Sequence, residues 1–420
     1  MSERAIVETL TTSCCLVGGG PAGAVLALIL ARQGIPVILL EAHEDFERDF
    51  RGDTIHPSVL EILDELGLAA SLHELRHSKI RTATFMTPAG ALAVADFGRL
   101  KTRFPYIMML PQAHFLEFLI TEARRFPNFQ LRMGARVEEL IEVDGAVRGV
   151  RYEDDRGVHE VRAQLTIGAD GRSSRVRHLA GMESLKTSPP MDVLWFRLPR
   201  ERDEPEGVLA RIGGGHIVVM LDRLDEWQIA YVILKGSYRQ IRAAGLDALG
   251  ASLVSIVPEL ATRVAHLKEW KQVSMLSVES SRLKQWYQPG LLLIGDAAHV
   301  MSPVGGVGIN YAIQDATVAA NILAEPLSAG RLELRHLREV QRQRMLSTRF
   351  IQAIQSFVQR RIIGTALRTN QPLQVPRLVR LFLRTPFLRT LPTRIIAYGL
   401  RRVHVKPLLR PPARPTATGE

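Results

Sequence analysis

Cysteine is almost missing from this 420-residue chain: there are two, Cys14 and Cys15, and they are adjacent. Neighbouring strand residues point to opposite faces, so no disulfide is expected between them. Both read as small core residues of a protein kept in a reducing, cytoplasmic setting. Long apolar runs are missing too. No uninterrupted stretch approaches the roughly 18–20 residues of a spanning helix. The first dozen residues are polar and mixed in charge, so no secretory signal is expected. No internal repeat is visible. Acidic residues are lacking from one region: Val340 to Gly419 holds 16 Lys or Arg and no Asp or Glu. The net charge of +11 is therefore local, because residues 1–339 carry 38 basic against 42 acidic residues. A basic nucleic-acid-binding body is excluded by that distribution, and no nucleic-acid partner is expected.

What is present is an alternation of strand and helix patterns. Residues 13–41 read as strand (Cys14 to Val17), glycine turn, Ala/Leu-rich helix (Ala22 to Gln33) and strand (Pro36 to Leu40). Pro57 to Leu68 reads as an amphipathic helix closed near Gly67. Strand-like patterns occupy 80–97, with a turn at Pro88-Ala89-Gly90, and 130–170. Residues 111–127 and 237–266 read as helical. Residues 189–235 alternate and carry Trp195, Phe196, Trp227 and Tyr231, which points to a separate sheet. Residues 290–325 repeat strand, turn and helix, and 331–366 are largely helical. These patterns predict an α/β protein with a discontinuous Rossmann-like domain (1–77, 99–185 and 276–340). An inserted β-sheet domain (78–98 and 186–275) and a helical basic C-terminal region (341–420) complete it.

Two motifs carry chemistry. Gly18-x-Gly20-x-x-Gly23 joins a strand to a helix. Its first glycine allows the tight turn, the second lets a pyrophosphate approach the backbone, and the third lets helix and strand pack closely. The N–H groups and positive dipole end of that helix then face the phosphates. Glu41 follows about 20 residues on, where an acid binds ribose hydroxyls and disfavours a 2′-phosphate. This motif alone does not separate NAD from FAD. The second motif does: Leu291-Leu292-Leu293-Ile294-Gly295-Asp296 is a buried strand ending in an acid. It is followed by Pro303, Gly306, Gly308, Asn310 and a helix expected from about Gly306 to Leu323. Asp296 can take the hydroxyls of a ribityl chain. The helix N-terminus can face the negative charge that a reduced flavin carries near N1 and O2.

With these residues in view, the sequence resembles the para-hydroxybenzoate-hydroxylase-like family of FAD monooxygenases. The resemblance rests on the fingerprint at 18–23, on Asp170-Gly171-x-x-Ser174-x-x-Arg177, and on Gly295-Asp296-Ala297-Ala298-His299-x-x-x-Pro303-x-x-Gly306-x-Gly308-x-Asn310. It implies an FAD enzyme that uses NADH or NADPH and O2 to hydroxylate an aromatic or quinone-like, fairly apolar small molecule through a flavin C4a-hydroperoxide. It also implies FAD contacts at Gly18, Gly20, Pro21, Ala22, Gly23, Glu41, Ala42, Arg51, Gln112, Val137, Asp170 and Gly171. The same holds for Asp296, Pro303, Gly305, Gly306, Val307, Gly308 and Asn310. Simpler roles stay open for several of these. Arg51 can be a surface arginine, Gln112 a polar helix start, and Asp170 the acid that closes its own turn. No side-chain nucleophile is required, because the chemistry is borne by the flavin. Pro303, His56, Trp195 and Tyr231 are the substrate-side candidates; His56 and His299 also read as structural, and Trp195 and Tyr231 as sheet core. No metal site is expected.

An alternative keeps the fold and changes the reaction: an FAD-dependent reductase of an isoprenoid or lipid-like substrate at a membrane. The halogenase Trp-x-Trp-x-Ile-Pro motif is missing, and Lys79 alone does not replace it. In the tail, Arg377, Arg380 and Arg384 fall on one helical face among Leu378, Leu381 and Phe382. Contact with an anionic membrane surface and docking on the slightly acidic body both fit that pattern.

Overall fold

The computed structural model describes residues 5–47, 53–87, 90–201, 203–368 and 386–407. Arg51, Arg377, Arg380 and Arg384 lie outside the described residues.

The core is a sheet of parallel strands in the spatial order Phe129–Arg132, Val37–Leu40, Ile6–Val17, Gly157–Gly168 and Leu291–Leu293. Both faces of its centre are covered, which explains continuous apolar runs rather than alternation. Cys14 and Cys15 are fully buried and free. Burial pushes both thiols up, Cys15 to about 12, so neither is a thiolate at neutral pH. The first strand is longer than its apolar end shows. Residues 6–13 pair with Val158–Ala163 and alternate in burial, because only one face of that extension is covered. The Pro21–Arg32 helix buries ten of its twelve residues against this sheet and its neighbouring helices. The Pro57–Glu65 helix is shorter than its pattern. Gly67 (φ 72°) ends the turn, and a second short helix, Ala69–Glu74, follows.

A seven-stranded sheet is built from Thr82–Thr87, Gly90–Asp96, four strands between Met191 and Leu234, and Ser274–Leu276. One face packs Leu194, Phe196, Val218, Ile229 and Tyr231 against the Leu246–Ile256 helix. The opposite face carries Val193, Trp195, Ile217, Val219 and Ala230, and meets Val304 and Ile363.

The Leu334–Val358 helix packs on the Gly308–Ser328 helix and runs through position 340 unbroken. It passes into a π-helical turn, Gln359–Ile363. The Pro386–Tyr398 helix and the following residues dock on the body. Ala397 and Tyr398 are buried with Ile80, Phe97 and Met109. The Tyr398 hydroxyl donates to Glu61, and the Val405 N–H to Glu65. Among the described residues, no helix is long and apolar enough to cross a membrane.

Candidate functional site

The motifs converge at the carboxyl ends of four adjacent parallel strands. Val17 is in register with Leu40 on one side and Gly168 on the other, and Gly168 with Leu293. Glu41, Gly18, Asp170 and Asp296 therefore leave the sheet in one row, where ligands bind in open α/β sheets.

The glycines divide into two kinds. A Cβ on Gly18 (φ 103°) would meet the Ala169 carbonyl oxygen at 2.6 Å, and one on Gly23 the Gly18 oxygen at 1.9 Å. These two permit close packing. A Cβ on Gly20 would meet nothing within 4 Å, and one on Gly305 (φ 81°) only Val307 at 3.6 Å. These two leave open space beside exposed backbone. Both helices that begin there, at Pro21 and Gly308, lack a side-chain cap, so their leading N–H groups are not taken by a capping side chain. Glu41 is buried; it accepts from the Gly19 N–H (2.7 Å) and from the His43 ring (2.6 Å). That anchors an acid beside the turn. Ala42, next to it, is exposed, and Val137 is buried in its strand.

Asp170 is used within its own loop. Its oxygens accept from the Ser174 hydroxyl (2.5 Å) and the Val176 N–H (3.0 Å). Burial raises its pKa, against those hydrogen bonds. Gly171 (φ 81°) completes the turn. Arg177 then staples this loop to the second motif, donating to the carbonyls of Ala297 (2.9 Å) and Arg172 (2.6 Å). Asp53 accepts from the Gln112 N–H (3.1 Å) and pairs with Arg223 (3.3 Å), joining the loop before the Thr54–Ile55 strand to the seven-stranded sheet. Burial raises the Asp53 pKa, opposed by Arg223.

Asn310 is a buried staple. Its side chain accepts from the His56 N–H (2.8 Å) and donates to the carbonyls of Thr54 (3.0 Å) and Gly306 (3.1 Å). His56 has no exposed surface; its Nδ1–H donates to the Ile396 carbonyl (2.8 Å), and burial lowers its pKa to about 4. The ring is neutral and enclosed, a structural position. Pro303 and Asp296 are half-buried at the mouth of the site. Trp195 is on the sheet face that meets Val304. Tyr231 is not: strand alternation turns it to the other face, where it is buried and shares a hydrogen bond with Ser252 (2.7 Å).

Behind the second motif is a set of residues that no local pattern marks. Asp315, fully buried, accepts from the Gly295 N–H (3.1 Å), His299 (2.6 Å) and Arg344 (2.6 Å). Burial alone would raise its pKa, but His299 and Arg344 beside it hold it below the usual carboxylate range. His299 is thus a structural partner. Among the described residues, no cluster of His, Cys, Asp and Glu could hold a metal.

The sequence profile of the FAD binding domain family matches residues 11–347, most of the chain. This protein belongs to the para-hydroxybenzoate-hydroxylase-like FAD monooxygenases. Over 397 residues it is 33% identical to 6-methylpretetramide 4-monooxygenase of Streptomyces rimosus, covering 94% of each chain. It is 27% identical to para-nitrophenol 4-monooxygenase of Pseudomonas sp. (strain WBC-3), over 77% of this chain and 80% of that one. In fold it is similar to the p-nitrophenol 4-monooxygenase PnpA from Pseudomonas putida DLL-E4. The TM-score is 0.73 at 20% identity, covering 93% and 97% of the two chains. As a member of this family it is an FAD-dependent aromatic monooxygenase, with NAD(P)H as the family's usual electron donor. The named relatives support that reaction over the isoprenoid-reductase alternative.

Proposed function

We propose that this FAD monooxygenase hydroxylates an aromatic polyketide, in the class of 6-methylpretetramide. The substrate would be held between the inner face of the seven-stranded sheet and the loop from Pro303 to Gly306. The observation that carries this reading is the apolar surface where Trp195, Val219 and Leu276 meet Val304. A large, flat, apolar ring system suits such a wall better than a small charged benzoate does. The indole N–H of Trp195 is buried without a hydrogen-bond partner among the described residues, a donor available to a substrate oxygen. The relative with 94% coverage bears the name of such a substrate.

In this reading, residues 78–98 and 186–275 form the substrate domain, and 1–77, 99–185 and 276–340 hold FAD. The free N–H groups of Ala22 and Gly23 bind the pyrophosphate, with Gly20 leaving room for it. Glu41 takes ribose hydroxyls and Asp296 the ribityl chain. The N–H groups of Gly305, Val307 and Gly308 would face the pyrimidine edge and favour negative charge there, while that of Gly306 closes the turn on the Pro303 carbonyl. Arg51 and Gln112 complete the set of FAD contacts. When bound, FAD supplies the electron transfer and oxygen activation. The protein's share is to fix ring and substrate in one geometry and to exclude water. Membrane contact by the tail would fall to Arg377, Arg380 and Arg384. The test is a kcat/KM comparison, with NADH and NADPH, between polycyclic phenols and single-ring phenols. Polycyclic substrates are expected to be used at least tenfold better. Preferential use of p-nitrophenol would sink the reading.

A further inference from the structure

Three glutamines on the Leu334–Val358 helix and its π-helical extension share one stripe: Gln352, Gln355 and Gln359, at i, i+3 and i+7. All are buried, at 4%, 3% and 2% exposure, which is rare for glutamine unless its amide is used. Every one reaches the segment that leads into the flavin loop. Gln352 donates to the carbonyls of Ser281 (2.9 Å) and Val300 (3.2 Å). Gln355 donates to the carbonyls of Ser302 and Val304, both at 2.9 Å. Gln359 donates to the Ser302 hydroxyl, whose oxygen also accepts from the Val304 N–H (3.2 Å). The helix widens to π geometry at Gln359 itself. Such bulges cluster at functional sites, where they re-aim a side chain.

The consequence is geometric. Gln355 and Gln359 grip Ser302 and Val304, the residues on either side of Pro303. The next two residues are Gly305 and Gly306, both at positive φ (81° and 61°), and the Gly306 N–H closes the turn on the Pro303 carbonyl (3.0 Å). Gly306 is held from the far side, where its carbonyl accepts from Thr54 (3.1 Å) and Asn310 (3.1 Å). The loop is therefore clamped at both ends, and the glutamines are the clamp on the Pro303 side.

We propose that Gln355 and Gln359 are positioning residues for the flavin. They act through Ser302 and Val304 to aim the N–H groups of Gly305, Val307 and Gly308 at the flavin's pyrimidine edge. The C-terminal helix is then part of the redox site, although it supplies no group to the flavin. The inference rests on the FAD placement given above.

The test uses the full-length protein, with Gln355→Met and Gln359→Met, both near-isosteric and without donors. Ser302→Ala removes the Gln359 bond from the other partner. The readouts are FAD affinity, by titrating apoprotein, and the midpoint potential of bound flavin. Expected is at least tenfold weaker FAD binding. The reduced, anionic flavin should lose about tenfold more affinity than the oxidised form, a fall of about 30 mV for a two-electron couple. Gln359→Met and Ser302→Ala should be less than additive, because they share the Gln359–Ser302 contact, although Ser302→Ala also loses the bond from the Val304 N–H. Gln343→Met, on the exposed face of the same helix, should change neither readout. Folded variants with unchanged FAD affinity and potential would overturn the proposal, as would full additivity of Gln359→Met and Ser302→Ala. If a glutamine variant does not fold, Ser302→Ala decides by the same readouts. Failure of the wild-type protein to bind FAD would instead overturn the cofactor placement itself.

Discussion

Gly20→Ala and Gly23→Ala should fail for opposite reasons, although the two glycines belong to one turn. At Gly23 the new methyl would sit 1.9 Å from the Gly18 carbonyl oxygen. Real Cβ contacts essentially never fall below 3.0 Å, so helix and strand must separate by about an ångström. The obstacle is backbone and cannot rotate away. Overpacking of that kind costs about 3 kcal/mol, at the upper end of the usual range. At Gly20 the methyl meets nothing within 4 Å, and the backbone (φ −69°, ψ −177°) is one alanine adopts freely. The apoprotein should be as stable as wild type, or more so by about 0.5 kcal/mol. The methyl does occupy the space the pyrophosphate needs. Wild type should gain about 2.7 kcal/mol of stability at an FAD concentration of 100 times Kd, and Gly20→Ala close to none. The assay is thermal or urea unfolding of each apoprotein with and without FAD. An FAD-induced gain in Gly20→Ala equal to that of wild type would refute the reasoning. So would an apoprotein of Gly20→Ala as unstable as that of Gly23→Ala.

Other expectations follow from the buried groups. Asp315→Asn strips the charge partner from Arg344, which is 1% exposed, and should cost about 3–5 kcal/mol in urea unfolding; a loss under about 1 kcal/mol would contradict the network. His56 has its folded pKa at about 4, below the 6.5 of an ordinary histidine, so the unfolded chain takes up a proton between those values that the folded chain refuses. Stability should therefore be indifferent to this group above pH 6.5 and fall as pH drops towards 4, by about 3 kcal/mol in all. His56→Asn, able to keep the donor to Ile396, should flatten the profile of Tm against pH over that window; an unchanged slope would count against it. Tyr231→Phe should leave KM within about twofold and cost about 1 kcal/mol of stability by losing the Ser252 bond. A large KM change would place Tyr231 at the pocket after all.

The strand ends and turns that frame the proposed cofactor site were legible in the sequence because their signals are local. Gly18 to Gly23 and Gly295 to Asn310 are runs of sequence whose spacing encodes a strand end, a turn and a helix start. The parallel sheet then brings those ends into one row without further instruction. The roles of individual side chains were less legible. Asp170 reads as a ligand by motif, yet both its oxygens are engaged by Ser174 and Val176. Tyr231 and Trp195 look alike in an aromatic strand pattern, and only the sheet register separates them. With Leu194 opposite Tyr231 and Trp195 opposite Ala230, the two aromatics point to different faces. The supporting residues Asp315, Arg344, Gln355 and Gln359 were not legible at all. Their partners lie 16 to 57 positions away, and a helix shows no sign in its own sequence of which buried carbonyls its glutamines will meet.

The most direct test of the central claim is to follow the oxygen. The purified protein should carry FAD. Mixed anaerobically with NADH or NADPH, its flavin should be reduced faster when an aromatic polyketide phenol is present. On admission of isotopically labelled O2, one labelled oxygen atom should appear in the product for each NAD(P)H consumed. Flavin reduction with no label in any product, or label arriving from water rather than O2, would contradict the assignment as a monooxygenase.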